Sequence, residues 1–243
     1  IENAFGSRFN DTISGSAGDN VINGGGGADL IIGGAGVDTI TFAGAAGPVV
    51  IDLGSQLTWD GQFNDTLSGV ESAIGSRFND TIFGDAGDNL INGGGGADIV
   101  DGGAGTDTIS FATASTSAVI DLAAQVTWDG ANNVKLSNIE NALGSNFNDT
   151  ILGGDYRNAN PAAVLTGNGG SDTFVFHKGF SHQVITDFTA NGPGSDRIQL
   201  ERGLFTNNDP FADAGEYNGG VVLKAAGQGD ITLMGVRLND LTA

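Results

Sequence analysis

The stretch NGGGGADLIIGGAGVDTI, residues 23–40, decides how the rest of the chain is understood. Glycine loses more freedom on folding than any other residue, so a run of it ordinarily argues against regular structure. This run, however, is phased. Asp29 and Asp38 stand nine residues apart, and so do Ile31 and Ile40. The same frame extends to both sides. From positions 6, 15, 24 and 33 the chain reads GSRFNDTIS, GSAGDNVIN, GGGGADLII and GGAGVDTIT. From 75, 84, 93 and 102 it reads GSRFNDTIF, GDAGDNLIN, GGGGADIVD and GGAGTDTIS. The sixth position is Asp11, Asn20, Asp29 and Asp38, then Asp80, Asn89, Asp98 and Asp107. The eighth is Ile13, Ile22, Ile31 and Ile40, then Ile82, Ile91, Val100 and Ile109.

A longer period lies over the short one. IENAFGSRFNDTISGSAG at 1–18 returns as VESAIGSRFNDTIFGDAG at 70–87 and as IENALGSNFNDTILGG at 139–154, a spacing of 69. VVIDLGSQLTWDG at 49–61 returns as AVIDLAAQVTWDG at 118–130. The third unit opens with GSNFNDTIL at 144–152. It is interrupted by YRNANPAA at 156–163, which reads as a surface loop, and resumes with GNGGSDTFV at 167–175. Internal repeats of this kind point to a stacked, solenoid-like architecture. The spacing divides the chain into 1–69, a repeat unit with its spacer; 70–138, a second; 139–175, a partial third with an inserted loop; and 176–243, a C-terminal β-rich cap.

Composition narrows the class. The 243 residues include 42 Gly, 24 Asp and five Glu against nine Lys and Arg, for a net charge of −20. Asp suits turns and hard cations, whereas Glu suits solvated helices. Only 4 Pro and 39% apolar residues argue against a disordered acidic linker. Such a charge repels nucleic acid and anionic membranes, and no apolar run approaches the ~20 residues of a membrane span. The absence of Cys removes disulfides and thiolate metal sites.

Each nonapeptide has a simple physical reading. Six Gly-rich residues make a tight turn, and three residues such as TIT make a short strand with its middle side chain turned inward. Two nonapeptides bring the chain back to its start, so coils of 18 residues stack at ~4.8 Å. The expected fold is all-β, a parallel β-roll, with Ile13 under Ile31 and Ile22 under Ile40. Its core is thin. Ordering nine backbones at ~1–2 kcal/mol each outweighs one buried Ile worth ~1.5–3 kcal/mol. Stacking also sets Asp11 against Asp29, and like charges at that range repel. A divalent cation between the turns resolves both problems. Oxygen-only ligands in a flexible turn favour calcium over magnesium or zinc.

The pattern resembles the glycine-rich nonapeptide of the RTX ("repeats in toxin") family. That resemblance implies calcium between each turn and the turn eighteen residues later. The earlier turn supplies its second and fourth carbonyls and sixth side chain, and the later its first and third carbonyls and sixth side chain. Carried onto this chain, one site uses Ser7, Phe9 and Asp11 with Gly24, Gly26 and Asp29. The next uses Ser16, Gly18 and Asn20 with Gly33, Ala35 and Asp38. In the second unit the sets are Ser76, Phe78 and Asp80 with Gly93, Gly95 and Asp98, then Asp85, Gly87 and Asn89 with Gly102, Ala104 and Asp107. Asp149 and Asp172 occupy the sixth position in the third unit. At least four calcium ions are implied. Asn20 and Asn89 stand where the family has Asp, and Phe9 and Phe78 where it prefers Gly.

Outside the repeats, VVIDL and AVIDL alternate as strands do and TWDG reads as a turn, so the spacers are expected to continue the sheet or pack beside it. Trp59 and Trp128 are expected to pack. Residues Thr186–Phe188, Asp196–Leu200 and Ile231–Leu241 resemble the C-terminal region of RTX proteins exported by type I secretion. No zinc-protease helix motif or nucleophile elbow is present, and His177 and His182 read as surface residues. The chain is therefore expected not to be an enzyme in itself. The resemblance implies a bacterial, secreted, extracellular segment that meets calcium and the type I secretion machinery and serves an effector or adhesin domain in the same chain. A structural or adhesive segment, as in a surface layer, is the alternative.

Overall fold

The computed structural model describes residues 2–154, 163–205, 209–217, 219–225 and 229–241. The loop expected at 156–163 lies outside the described residues except for Ala163, which begins strand Ala163–Thr166. The chain divides into two compact units, 1–109 with 131–139, and 110–130 with 140–243.

In the first unit three-residue strands alternate between two sheets, one nonapeptide to each. One sheet runs Asn3–Phe5, Val21–Asn23, Thr39–Thr41, Ser72–Ile74, Leu90–Asn92 and Thr108–Ser110, all parallel. The other begins Thr12–Ser14, Leu30–Ile32, Thr66–Ser68 and ends Thr81–Phe83, Ile99–Asp101, Asn133–Ser137. Between these halves lies the antiparallel pair Val50–Asp52 and Leu57–Trp59, so the first spacer is built into the sheet. The register is the one the 18-residue coil requires. Ile13 pairs with Ile31 and then Leu67, and Ile22 with Ile40 and then Ala73. Each three-residue strand offers its middle residue inward because side chains alternate faces along a strand, and Asn133–Ser137 buries Val134 and Leu136 by the same alternation. Ile31, Ile40, Ile82, Ile91 and Val100 are all fully buried. This is a parallel β-roll.

The second unit repeats the plan. Thr150–Leu152, Thr173–Phe176 and Arg197–Leu200 pair in parallel, with the hairpin Val119–Asp121 and Val126–Trp128 at one side. Asn141–Leu143, Ala163–Thr166, Gln183–Ile185 and Asp230–Met234 form the other sheet, which turns antiparallel at Gly220–Lys224 and Gly215–Tyr217. Larger side chains fill this core. Phe174, Phe176 and Phe180 are buried, with Phe176 and Phe180 rings 5.4 Å apart.

Trp59 and Trp128, expected to pack, do so only in part. They are 41% and 47% exposed. Alternation is the reason: their neighbours Thr58 and Thr127 take the inward place and are buried.

Candidate metal centre

The turns are of two kinds, although the repeat is one. In turns opening at Gly6, Gly15, Gly75, Gly84 and Gly144, the second residue carries a side-chain oxygen that accepts the fourth residue's N–H. Phe9 donates to Ser7 Oγ at 3.1 Å, Gly18 to Ser16 Oγ at 3.3 Å, Phe78 to Ser76 Oγ at 3.0 Å, Gly87 to Asp85 Oδ1 at 2.8 Å and Phe147 to Ser145 Oγ at 3.0 Å. The sixth side chain then folds back into its own turn. Ser7 N–H donates to Asp11 Oδ2 at 2.6 Å, Ser76 to Asp80 Oδ2 at 2.6 Å and Ser145 to Asp149 Oδ2 at 2.5 Å. Ser16 and Asp85 donate likewise to Asn20 Oδ1 and Asn89 Oδ1, at 2.6 and 2.7 Å. These are side-chain-closed turns of the kind Ser, Asp and Asn favour.

The turns stacked on them are closed by glycine instead. Gly25 and Gly27 hold φ of 87° and 114°, a region that favours glycine. Here the sixth side chain reaches across to the coil beneath. Asp29 Oδ1 accepts the Asp11 N–H, Asp38 Oδ1 that of Asn20, Asp98 Oδ1 that of Asp80, Asp107 Oδ1 that of Asn89 and Asp172 Oδ1 that of Asp149, each at 2.8 Å. Fifth positions bind in the opposite sense, as Ala28 N–H to Asn10 Oδ1 at 3.0 Å and Ala97 N–H to Asn79 Oδ1 at 2.9 Å. Each predicted pair of sixth positions is thus brought together.

Asp29, Asp38, Asp98, Asp107, Asp149 and Asp172 are all 3% exposed or less. The second carboxylate oxygens of Asp29 and Asp38 are buried and accept no hydrogen bond among the described residues. A Cβ at Gly24 would lie 2.4 Å from Asp29 Oδ2, so the carboxylate occupies the space that bare glycine leaves. Burial pushes the carboxyls of Asp29, Asp80 and Asp149 above the ordinary carboxylate value. For Asp172 burial raises it to about 7, with a contribution from the charges of Asp196, Asp149 and Asp187. Burying a charge without a partner is costly, so these groups call for a counter-charge.

The predicted carbonyl ligands line the seams between stacked turns. A Cβ at Gly6 would meet Gly24 O at 2.0 Å, and at Gly15 would meet Gly33 O at 2.0 Å. The second-position carbonyls accept backbone N–H groups from the turn above. Gly26 donates to Ser7 O at 2.8 Å, Ala35 to Ser16 O at 3.4 Å, Gly95 to Ser76 O at 2.9 Å and Ala104 to Asp85 O at 2.9 Å. Phe9 is 65% exposed and lies under the Arg8 guanidinium at 5.2 Å, so only its main chain is offered to the site. Phe78 lies under Arg77 in the same way. The Asn89 amide donates to Glu71 O at 2.8 Å and Asp85 Oδ1 at 3.0 Å, and that of Asn20 to Ser16 Oγ at 3.1 Å.

Three acids outside the predicted set continue these ladders. Asp65 Oδ1 accepts the Asp29 N–H at 3.0 Å, Glu71 Oε2 that of Asp38 at 2.9 Å and Asp196 Oδ1 that of Asp172 at 2.8 Å. Asp65 had a sequence signal, because FNDTLSG at 63–69 nearly repeats FNDTISG at 9–15. Asp196 had one as well, because GSDRIQL at 194–200 keeps the frame of GSDTFVF at 170–176, whereas Glu71 has none of that kind.

No three His, Cys, Asp or Glu side chains converge among the described residues. A cation here would be held by one or two carboxylates and backbone carbonyls, an all-oxygen set that suits calcium. Buried carboxylate oxygens lacking a donor fit such an ion. Fold and site together define a calcium-binding β-roll.

Comparison with known proteins places the repeats. Residues 5–40 and 74–109 match the RTX calcium-binding nonapeptide repeat, in 4 copies. It aligns at 18% identity with the extracellular lipase LipA from Serratia marcescens, with a TM-score of 0.26, covering 98% of this chain and 38% of that one. It aligns at 18% identity with the AlgE6R3 subunit of the Azotobacter vinelandii mannuronan C5-epimerase, with a TM-score of 0.15, covering 95% of this chain and 73% of that one. The chain thus spans 38% of the lipase's length. No curated protein matches it. No helix among the described residues is long and apolar enough to cross a membrane.

Proposed function

We propose that this segment is a calcium-triggered folding module that matures after export and serves a domain it is attached to. The observation that carries the reading is the buried second oxygen of Asp29 and of Asp38, each without a donor among the described residues. Without a cation these groups oppose the fold; with one they hold its coils together. Asp11 with Asp29, Asn20 with Asp38, Asp80 with Asp98 and Asn89 with Asp107 supply the side chains of four sites. The turn carbonyls already assigned to each complete them, and Asp149 with Asp172 supplies a further pair. None of these groups is asked to do catalysis.

Inside a cell, where free calcium is low, the chain stays extended and acidic, a form that passes a narrow type I export channel. Outside, calcium neutralises the Asp columns and the roll forms. Residues 176–243 act as the cap that closes the stack and shields its strand edge. The test is far-ultraviolet circular dichroism in excess chelator and at millimolar calcium. A β signal that appears only with calcium is expected. Equal structure in both refutes the proposal. Extracellular calcium sites have dissociation constants near ~10⁻⁴–10⁻³ M. A site at ten times its constant adds about 1.4 kcal/mol, so several together make the transition steep.

A further inference from the structure

Resting on the calcium reading above, we infer that the first spacer adds a cation site of its own, between Asp29 and Asp65, beyond the last glycine turn. The nonapeptide repeats end at residue 40 in the first unit, and Asp65 lies well outside them. Yet the stack treats it as a sixth position. Leu30 pairs with Thr66 as Thr12 pairs with Leu30, so Asp65 stands on Asp29 as Asp29 stands on Asp11. The backbone bond repeats too, with Leu30 N–H to Asp11 O at 2.9 Å and Thr66 N–H to Asp29 O at 2.8 Å. So does the carboxylate bond: Asp11 N–H donates to Asp29 and Asp29 N–H donates to Asp65.

Asp65 is 5% exposed, and Thr58 Oγ1 donates to its Oδ2 at 2.8 Å, which fixes the carboxylate in place. Asp29 is 3% exposed, and its Oδ2 is the donor-less oxygen described above. Two buried carboxylates in adjacent coils, one with a bare oxygen, need a cation between them.

The second unit supplies the contrast. There Lys135 N–H donates to Asp98 O at 2.9 Å, as Thr66 does to Asp29 O, so Val134 holds the place of Asp65. Val134 is 5% exposed and apolar. The extra site therefore belongs to one unit, and a valine in that position is compatible with the roll.

The experiment counts bound calcium on the full chain at saturating calcium by equilibrium dialysis. Variants are Asp65→Asn, Asp65→Val and, as a control in the same spacer, Asp52→Asn, with folding checked by circular dichroism. Both Asp65 variants are expected to hold one calcium fewer than wild type, with Asp52→Asn unchanged. Should Asp65→Asn fail to fold, Asp65→Val carries the comparison, since it installs the residue found in the second unit. Folded Asp65 variants that keep the wild-type count overturn this inference and leave the proposed function standing. A wild-type chain that binds no calcium overturns both.

Discussion

Ile31→Ala tests whether the thin core and the calcium sites act as one system. Ile31 is fully buried and held between Ile13 and Leu67 in neighbouring coils. Backbone bonds on both sides, Leu30 N–H to Asp11 O at 2.9 Å and Thr66 N–H to Asp29 O at 2.8 Å, fix the coil spacing. The coils cannot close on the cavity, so the cost falls in the range of about 2–5 kcal/mol for such truncations. When folding and binding are one reaction, that cost is met by raising free calcium. Shared among about four cations, it moves the folding midpoint by a factor of about 2 to 8. The assay is a calcium titration followed by circular dichroism. Leu30→Ala is the matched control, because Leu30 adjoins Ile31 in sequence but faces outward at 39% exposure. Its effect should stay within about 0.5 kcal/mol, which is under about 1.3-fold in calcium. The reasoning is refuted if Leu30→Ala shifts the midpoint as far as Ile31→Ala does.

Other consequences follow from the same geometry. A Cβ at Gly33 would lie 1.9 Å from Gly69 O and 2.6 Å from Asp38 Oδ2, whereas one at Gly18 meets nothing within 4 Å; Gly33→Ala should raise the calcium midpoint several-fold and Gly18→Ala should leave it alone. Asp29→Ala and Asp98→Ala should each lose more bound calcium by calorimetry than Asp60→Ala, whose carboxylate closes its own turn on the Gln62 and Phe63 N–H groups. Asn89→Asp removes an amide that donates to Glu71 O and Asp85 Oδ1, so it should weaken residual structure without calcium and steepen the calcium response. Burial raises the Asp172 carboxyl from 3.8 to about 7, so the calcium-free fold binds more protons than the unfolded chain between those values. Its stability is present below the lower value and lost as pH rises through the upper one. Residual β structure in calcium-free buffer should therefore be greater at pH 5 than at pH 8, and the opposite order would contradict the burial of these carboxylates.

The register of the roll was legible before any coordinates. A coil of two nonapeptides makes each contact a matter of counting, so Ile13, Ile31, Ile22 and Ile40 find their partners at a fixed offset of 18. The candidate carboxylate pairs follow from the same count, because a periodic stack turns sequence distance directly into spatial order. What the count could not supply lies where the period breaks. The face on which Trp59 stands depends on the hairpin Val50–Asp52 and Leu57–Trp59 entering the sheet antiparallel, with Thr58 turned inward. Asp65 and Glu71 join the ladders because the coils above Asp29 and Asp38 are 36 and 33 residues away instead of 18. The two kinds of turn, by contrast, are local, since Ser or Asp at the second position closes one and glycine the other. Reaching across needs a neighbouring coil: Asp80 Oδ2 accepts the Ser76 N–H of its own turn while its Oδ1 accepts that of Val49 at 2.8 Å. Local sequence sets which conformations each turn can reach. Burial against a neighbouring coil decides which carboxylate oxygen is left for a cation.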